Sequence, residues 1–93
     1  MFVSIACDFG NEDSRDHVYA LLAQYGFEKV QRACFESTNI SEKLLQQLKR
    51  DIDKATDYYD TLRIYQYPVE NKLAISVLKE NKWKRIIIRP PSQ

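Results

Sequence analysis

Asp8 is the residue on which chemistry could rest. It ends the apolar run of the opening segment FVSIACDFGNEDSR, where a strand gives way to the start of a helix. By the two-residue period of a strand, Val3, Ile5 and Cys7 share one side, and Phe2, Ser4, Ala6 and Asp8 share the other. Taken alone, an acid at a strand end reads as a turn or capping residue. The small side chains of Ser4 and Ala6, however, permit close approach across that side. If a second copy packs there about a two-fold axis, Asp8 faces its own symmetry mate. Two close carboxylates repel unless a proton or cation lies between them. Magnesium suits such a pair, because it takes one or two carboxylates, keeps several waters and shares a phosphate oxygen. A metal so held polarises a phosphodiester and lowers the pKa of its bound water.

Cations are spaced to assist. Arg15 lies seven residues beyond Asp8, about one turn into the first helix, while Lys29 and Arg32 lie in the second apolar segment and Arg63 in the third. Segment 79–93 carries Lys79, Lys82, Lys84, Arg85 and Arg89 against Glu80, a local excess of four positive charges. Each cation singly also reads as a solvated, snorkelling side chain. Doubled in a dimer, the set makes a basic surface that follows a phosphate backbone. Trp83 and the tyrosines are read as packing residues.

Other chemistries are excluded by what is missing. His17 is the sole histidine and no Cys-x-x-Cys pair exists, so neither a triad nor a structural zinc site is expected. Gly10 and Gly26 are the only glycines, too few for a phosphate-cradling loop. Glu12 and Asp13 read as helix-start acids, and His17 as a boundary residue. A net charge of +1 carries no whole-molecule preference for nucleic acid. Cys7 and Cys34 are expected to be buried free thiols in a reducing cytoplasm. No apolar run reaches the ~20 residues of a bilayer span and no signal peptide is evident, so a soluble protein without membrane contact is expected.

The elements that must position these residues fit one small domain covering all 93 residues. A first strand over FVSIACD leads to a helix with Asn11 as N-cap, the stripe Val18, Leu21, Leu22 and Tyr25, and Gly26 as its stop. A second strand is expected over 27–36. The second helix starts at Ser41, with Ile40 and Leu45 as a hydrophobic staple and Leu44, Leu48, Ile52 and Ala55 as its buried stripe. TLRIYQY, closed by Pro68, then KLAISVL and KRIIIR read as three further strands. The expected fold class is α+β: a ferredoxin-like βαββαβ sandwich with one additional C-terminal strand and both helices on one sheet face. The bare face, apolar in its strands, is expected to be covered by a second subunit in a homodimer.

Several segments together resemble the Cas-two family, the small CRISPR-associated protein that works beside the Cas-one integrase. They are the strand ending in Asp8, Arg15 within DFGNEDSRDHV, the run YGFEKVQRACFE and the strand LRIYQYP. These pieces are in order over residues 1 to about 68. The resemblance implies a ferredoxin-like homodimer in which the last strand, within 79–93, packs on the partner protomer. It implies that Asp8 of each protomer binds magnesium, and that Arg15 and Phe35 match positions implicated in activity. Lys29 stands where a basic residue is common, and Arg32 follows in the same run. Cys7 replaces the usual aromatic before the aspartate, and Asp13-Ser14 stands where a basic pair is often found. The implied function is a cytoplasmic spacer-acquisition protein that bridges integrase dimers and binds double-stranded DNA. A magnesium-dependent endonuclease acting on single-stranded RNA or double-stranded DNA is implied as well. The alternatives are a non-catalytic DNA-binding adaptor and a toxin-type ribonuclease of related fold.

Overall fold

A computed structural model describes residues 1–91. Along the chain run β1 (Phe2–Asp8), α1 (Glu12–Gln24), β2 (Glu28–Gln31), β3 (Cys34–Ser37), α2 (Glu42–Ala55), β4 (Thr61–Val69), β5 (Lys72–Lys79) and β6 (Lys82–Ile88). The strands form one sheet in the order β2-β3-β1-β4-β5-β6, every neighbouring pair antiparallel. The elements from β1 to β4 are the βαββαβ unit of a ferredoxin-like α+β fold, with β1 central between β3 and β4. Two strands, β5 and β6, extend that unit, where one was expected.

The difference arises in the run 27–36, which is a hairpin and not one strand. Gln31 pairs with Cys34 across a two-residue turn of Arg32 and Ala33, and Ala33 adopts a left-handed φ of 60°. Val30 is the extra residue of a bulge between Lys29 and Gln31. Likewise Pro68 does not close β4. The strand continues to Val69 through an irregular stretch between Gln66 and Val69, where the missing proline N–H is tolerated.

Local chemistry sets the helix ends as the sequence suggests. Asn11 Oδ1 accepts from the Ser14 N–H at 2.8 Å, capping α1. At the other end the Phe27 N–H donates to Leu22 O (2.9 Å) and the Gly26 N–H to Ala23 O (3.1 Å), with Gly26 at φ 83°. That is a Schellman closure, and it needs the left-handed residue that glycine supplies. Ser41 Oγ caps α2 by accepting from the Leu44 N–H, and buried Ile40 and Leu45 form the staple around it.

Both helices pack on one sheet face. Val3 and Ile5 of β1, Leu62 and Ile64 of β4 and Leu78 of β5 meet Val18 and Leu22 of α1 and Leu45, Leu48 and Ile52 of α2. The Tyr25 hydroxyl adds a bond from α1 to Asp51 of α2. Leu44 does not belong to the stripe: it is 47% exposed, whereas Leu45 is fully buried. The stripe therefore runs 45, 48, 52, the three-then-four spacing of one helix face. Among the described residues the opposite sheet face carries no helix. Phe2, Ser4, Ala6 and Asp8 lie on it beside Tyr67, Tyr65, Arg63 and Thr61 of β4. Phe2, Tyr67 and Ile88 are exposed.

The C-terminal strand within 79–93 pairs with β5 of its own chain through the Glu80-Asn81 turn. The last two residues of that segment, Ser92 and Gln93, lie outside the described residues. Cys7 and Cys34 are free thiols, each half-buried where full burial was expected. No helix is long and apolar enough to cross a membrane among the described residues.

Candidate functional site

Where β1 passes into α1, a concavity of about 350 Å³ opens at the end of the sheet. Its lining brings Asp8 together with Arg15 from α1 and Arg32 from the β2–β3 turn, beside Glu12, Tyr19 and Cys7. Three of the sequence-derived site residues thus meet at one place although 24 positions separate Asp8 from Arg32. Asp8 is exposed, and its backbone oxygen accepts from Thr61 Oγ1 at 3.5 Å. Arg15 is turned along its own helix, with its guanidinium 3.1 Å from Asp16 Oδ1. Such an exposed pair contributes little to stability, so Arg15 is free to exchange it for a phosphate.

The other expected residues surround this concavity at different depths. Lys29 Nζ lies 5.2 Å from the centroid of Tyr19, whose ring lines the concavity. Phe35 is buried and packs edge-on against Tyr19, with centroids 4.8 Å apart. It reaches the concavity only through Tyr19. Arg63 lies on the helix-free face opposite Ala6, its Nε donating to the Tyr65 hydroxyl at 2.9 Å. Lys84 and Arg85 do not join the group: they line a separate cleft between α2 and β6. Neighbouring residues on a strand alternate in side, and Arg85 pairs with Ser76 while Lys84 pairs with Val77. His17 is exposed and lines neither cavity.

What holds the Asp8 loop in place was not legible in the sequence. Asp60, 0% exposed, accepts the Gly10 N–H at Oδ1 and the Asp57 N–H at Oδ2, each at 2.8 Å. Asp57 in turn accepts from Asn11 Nδ2 (3.3 Å) and from the Tyr59 N–H (2.9 Å). The loop before α1 is thereby tied to the loop before β4. Gly10 is required by the closeness of this join, since a Cβ on it would lie 2.8 Å from Tyr59 Cβ.

The donor chemistry of the concavity favours a hard cation. Burial pushes the Cys7 thiol up to about 12, with Cys34 adding to the shift, so Cys7 stays a neutral thiol and is no thiolate ligand. The acidic donors that remain are the oxygens of Asp8 and Glu12. No cluster of three or more metal-ligating side chains exists among the described residues. One chain therefore offers magnesium the correct donor type in two exposed carboxylates, Asp8 and Glu12, with the remaining positions left to water or phosphate oxygens.

The fold and this loop define a small ferredoxin-like domain with an acidic strand tip and cations gathered around it. A family model, that of CRISPR associated protein Cas2, matches residues 1–86, and the chain belongs to that family. Membership implies a role in CRISPR adaptation. The chain is similar to the crystal structure of a hypothetical protein from Thermus thermophilus. Identity is 35% over 76% of this chain and 83% of that one, with a TM-score of 0.63. No curated protein matches the chain.

Proposed function

We propose that this chain acts as a homodimer, closed through its helix-free sheet face, which binds double-stranded DNA and bridges the Cas-one integrase during spacer acquisition. The observation that carries this reading is the face itself. Exposed Phe2, Tyr67 and Ile88 lie on the same side as Asp8, on a sheet whose other side is already filled by two helices. Apolar side chains grouped on one bare face are stabilised by burial against a second copy. Such packing about a two-fold axis converges the two Asp8 strand ends.

Within the dimer the Asp8 pair would hold magnesium, and the centre would act as a phosphodiester endonuclease. Magnesium, when bound, polarises a phosphodiester and acidifies its own water. Asp8 contributes the anchoring carboxylate. Arg15 leaves Asp16 to stabilise charge that develops on the phosphate oxygens. Lys29, Arg32 and Arg63 follow the phosphate backbone to either side, and Phe35 positions Tyr19 beneath Lys29. A second reading, a DNA-binding adaptor without cleavage, is favoured by the single exposed aspartate each chain contributes at the strand tip. Cleavage assays on Asp8→Ala with magnesium or with a chelator separate the two. Loss of magnesium-dependent cleavage in a variant that stays dimeric and binds DNA supports the enzyme. Equal cleavage by both proteins refutes it. A wild-type dimer that binds DNA and never cleaves leaves the adaptor.

A further inference from the structure

The cleft between α2 and β6 combines features that the Asp8 site does not use. It encloses about 400 Å³, within the range of small-ligand pockets, and shares no lining residue with the Asp8 concavity. Lys49 reaches into it from α2 and donates to Ser76 Oγ on β5 at 2.9 Å. Its ammonium lies 6.0 Å from the ring centroid of Trp83. Burial and the neighbouring positive charge of Arg85 both lower the pKa of Lys49, and Glu42 opposes them only in part. Ser76, which accepts from Lys49, pairs directly with Arg85 across β5 and β6, so Lys49 and Arg85 are like charges lining one cleft. Among the described residues the one ion pair is Arg15 with Asp16, so neither has a carboxylate partner within ion-pair distance. Arg50 and Lys84 bring the cations of the lining to four, against the single acid Asp53.

Two cations held together in a partly desolvated cleft are stabilised by an anion between them, which removes their repulsion and forms charge-assisted hydrogen bonds. The half-buried indole of Trp83 supplies a flat apolar wall beside that anion position. A phosphate joined to a planar ring matches both features, and base–aromatic stacking tolerates any base. We propose that this cleft binds a nucleoside 5′-phosphate, with the phosphate between Lys49 and Arg85 and the base against Trp83. The nucleotide comes either free in solution or as the terminus of a strand.

Trp83 is the only tryptophan, so its indole N–H resonance reports the cleft directly. The full chain is titrated with thymidine 5′-monophosphate, thymidine and inorganic phosphate, and affinities are checked by calorimetry. Expected is a saturable shift of the Trp83 signal with the monophosphate, with thymidine and phosphate each about tenfold weaker or more. Arg85→Gln, at an exposed position, is expected to weaken the monophosphate by about tenfold with an unchanged melting curve. Binding of 5′-phosphorylated oligothymidine about tenfold tighter than its 5′-hydroxyl form identifies a strand end as the source. Equal binding of the two oligonucleotides, with the monophosphate bound, identifies the free nucleotide. No saturable shift, equal affinity for monophosphate and thymidine, or an unaffected Arg85→Gln overturns the proposal. Duplex binding at the Asp8 end is measured separately, so either conclusion can fail without the other.

Discussion

Asp60→Asn tests whether one buried carboxylate holds the loop that follows Asp8. The wild-type side chain is fully buried and uses both oxygens on backbone donors 2.8 Å away, at Gly10 and Asp57. An asparagine can accept at one of these and must direct its NH2 toward the other, where a donor meets a donor. Hydrogen bonds to a charged acceptor contribute about 1.5–3 kcal/mol each, and a buried donor left unsatisfied costs its desolvation. Losing one of the two bonds is therefore expected to cost about 2–3 kcal/mol. In a domain of this size that lowers Tm by about 8–24 °C. Denaturant titration at fixed protein concentration measures it without confusion from dimer dissociation. A second readout follows from the geometry: Gly10 is two residues from Asp8, so under the proposed function magnesium-dependent cleavage should weaken even at temperatures where the variant is folded. A stability change below about 0.5 kcal/mol, the range of ordinary surface substitutions, would refute the reasoning.

Three smaller predictions bear on the fold. Leu45→Ala is expected to lose about 2–5 kcal/mol by leaving a cavity, and Leu44→Ala about 0.5 kcal/mol or less. Chemical denaturation that ranks them in reverse would contradict the stripe assigned to α2. In the β5–β6 turn Glu80 and Asn81 have φ of 54° and 60°, and a glutamate pays a steric cost there that glycine avoids. Glu80→Gly should raise stability by about 0.5–1 kcal/mol, read as a higher Tm. Finally, Cys7 titrates near 12 when folded against an ordinary 9.0, so the unfolded chain releases that proton first. Its contribution is fully present below about pH 9 and is lost as pH rises from there through 12. Cys7→Ala should flatten stability over that interval, measured by urea midpoints at stepped pH.

What the sequence made legible was local. The Asn11 cap, the Gly26 closure and the Ile40–Leu45 staple each depend on residues within six positions of one another, and each forms as read. The β2–β3 turn was hidden because Arg32-Ala33 carries no glycine, proline or asparagine, and Ala33 takes up the left-handed conformation those residues would have signalled. Leu44 misled because both Leu44, four residues before Leu48, and Leu45, three before it, fit a helical stripe with Leu48 and Ile52, and only packing decides which faces inward. Asp60 was invisible for a different reason. Its role lies in a hydrogen bond to Gly10, 50 positions away, and DYYD by itself reads as solvated loop. The basic C-terminal segment looked like part of one surface with the Asp8 cations, but Lys84 and Arg85 line the cleft between α2 and β6 instead.

The central claim is that two chains close face to face and bring their Asp8 positions together. Asp8→Cys in a Cys34→Ala background with a short bis-maleimide tests it directly, since Cys34 is then removed and burial keeps Cys7 a neutral thiol. The account expects a covalent dimer of twice 11.0 kDa from that variant and none from Cys34→Ala alone. A variant that stays uncross-linked while sedimenting as a dimer, or a wild-type chain that sediments as an 11.0 kDa monomer at micromolar concentration, would contradict it.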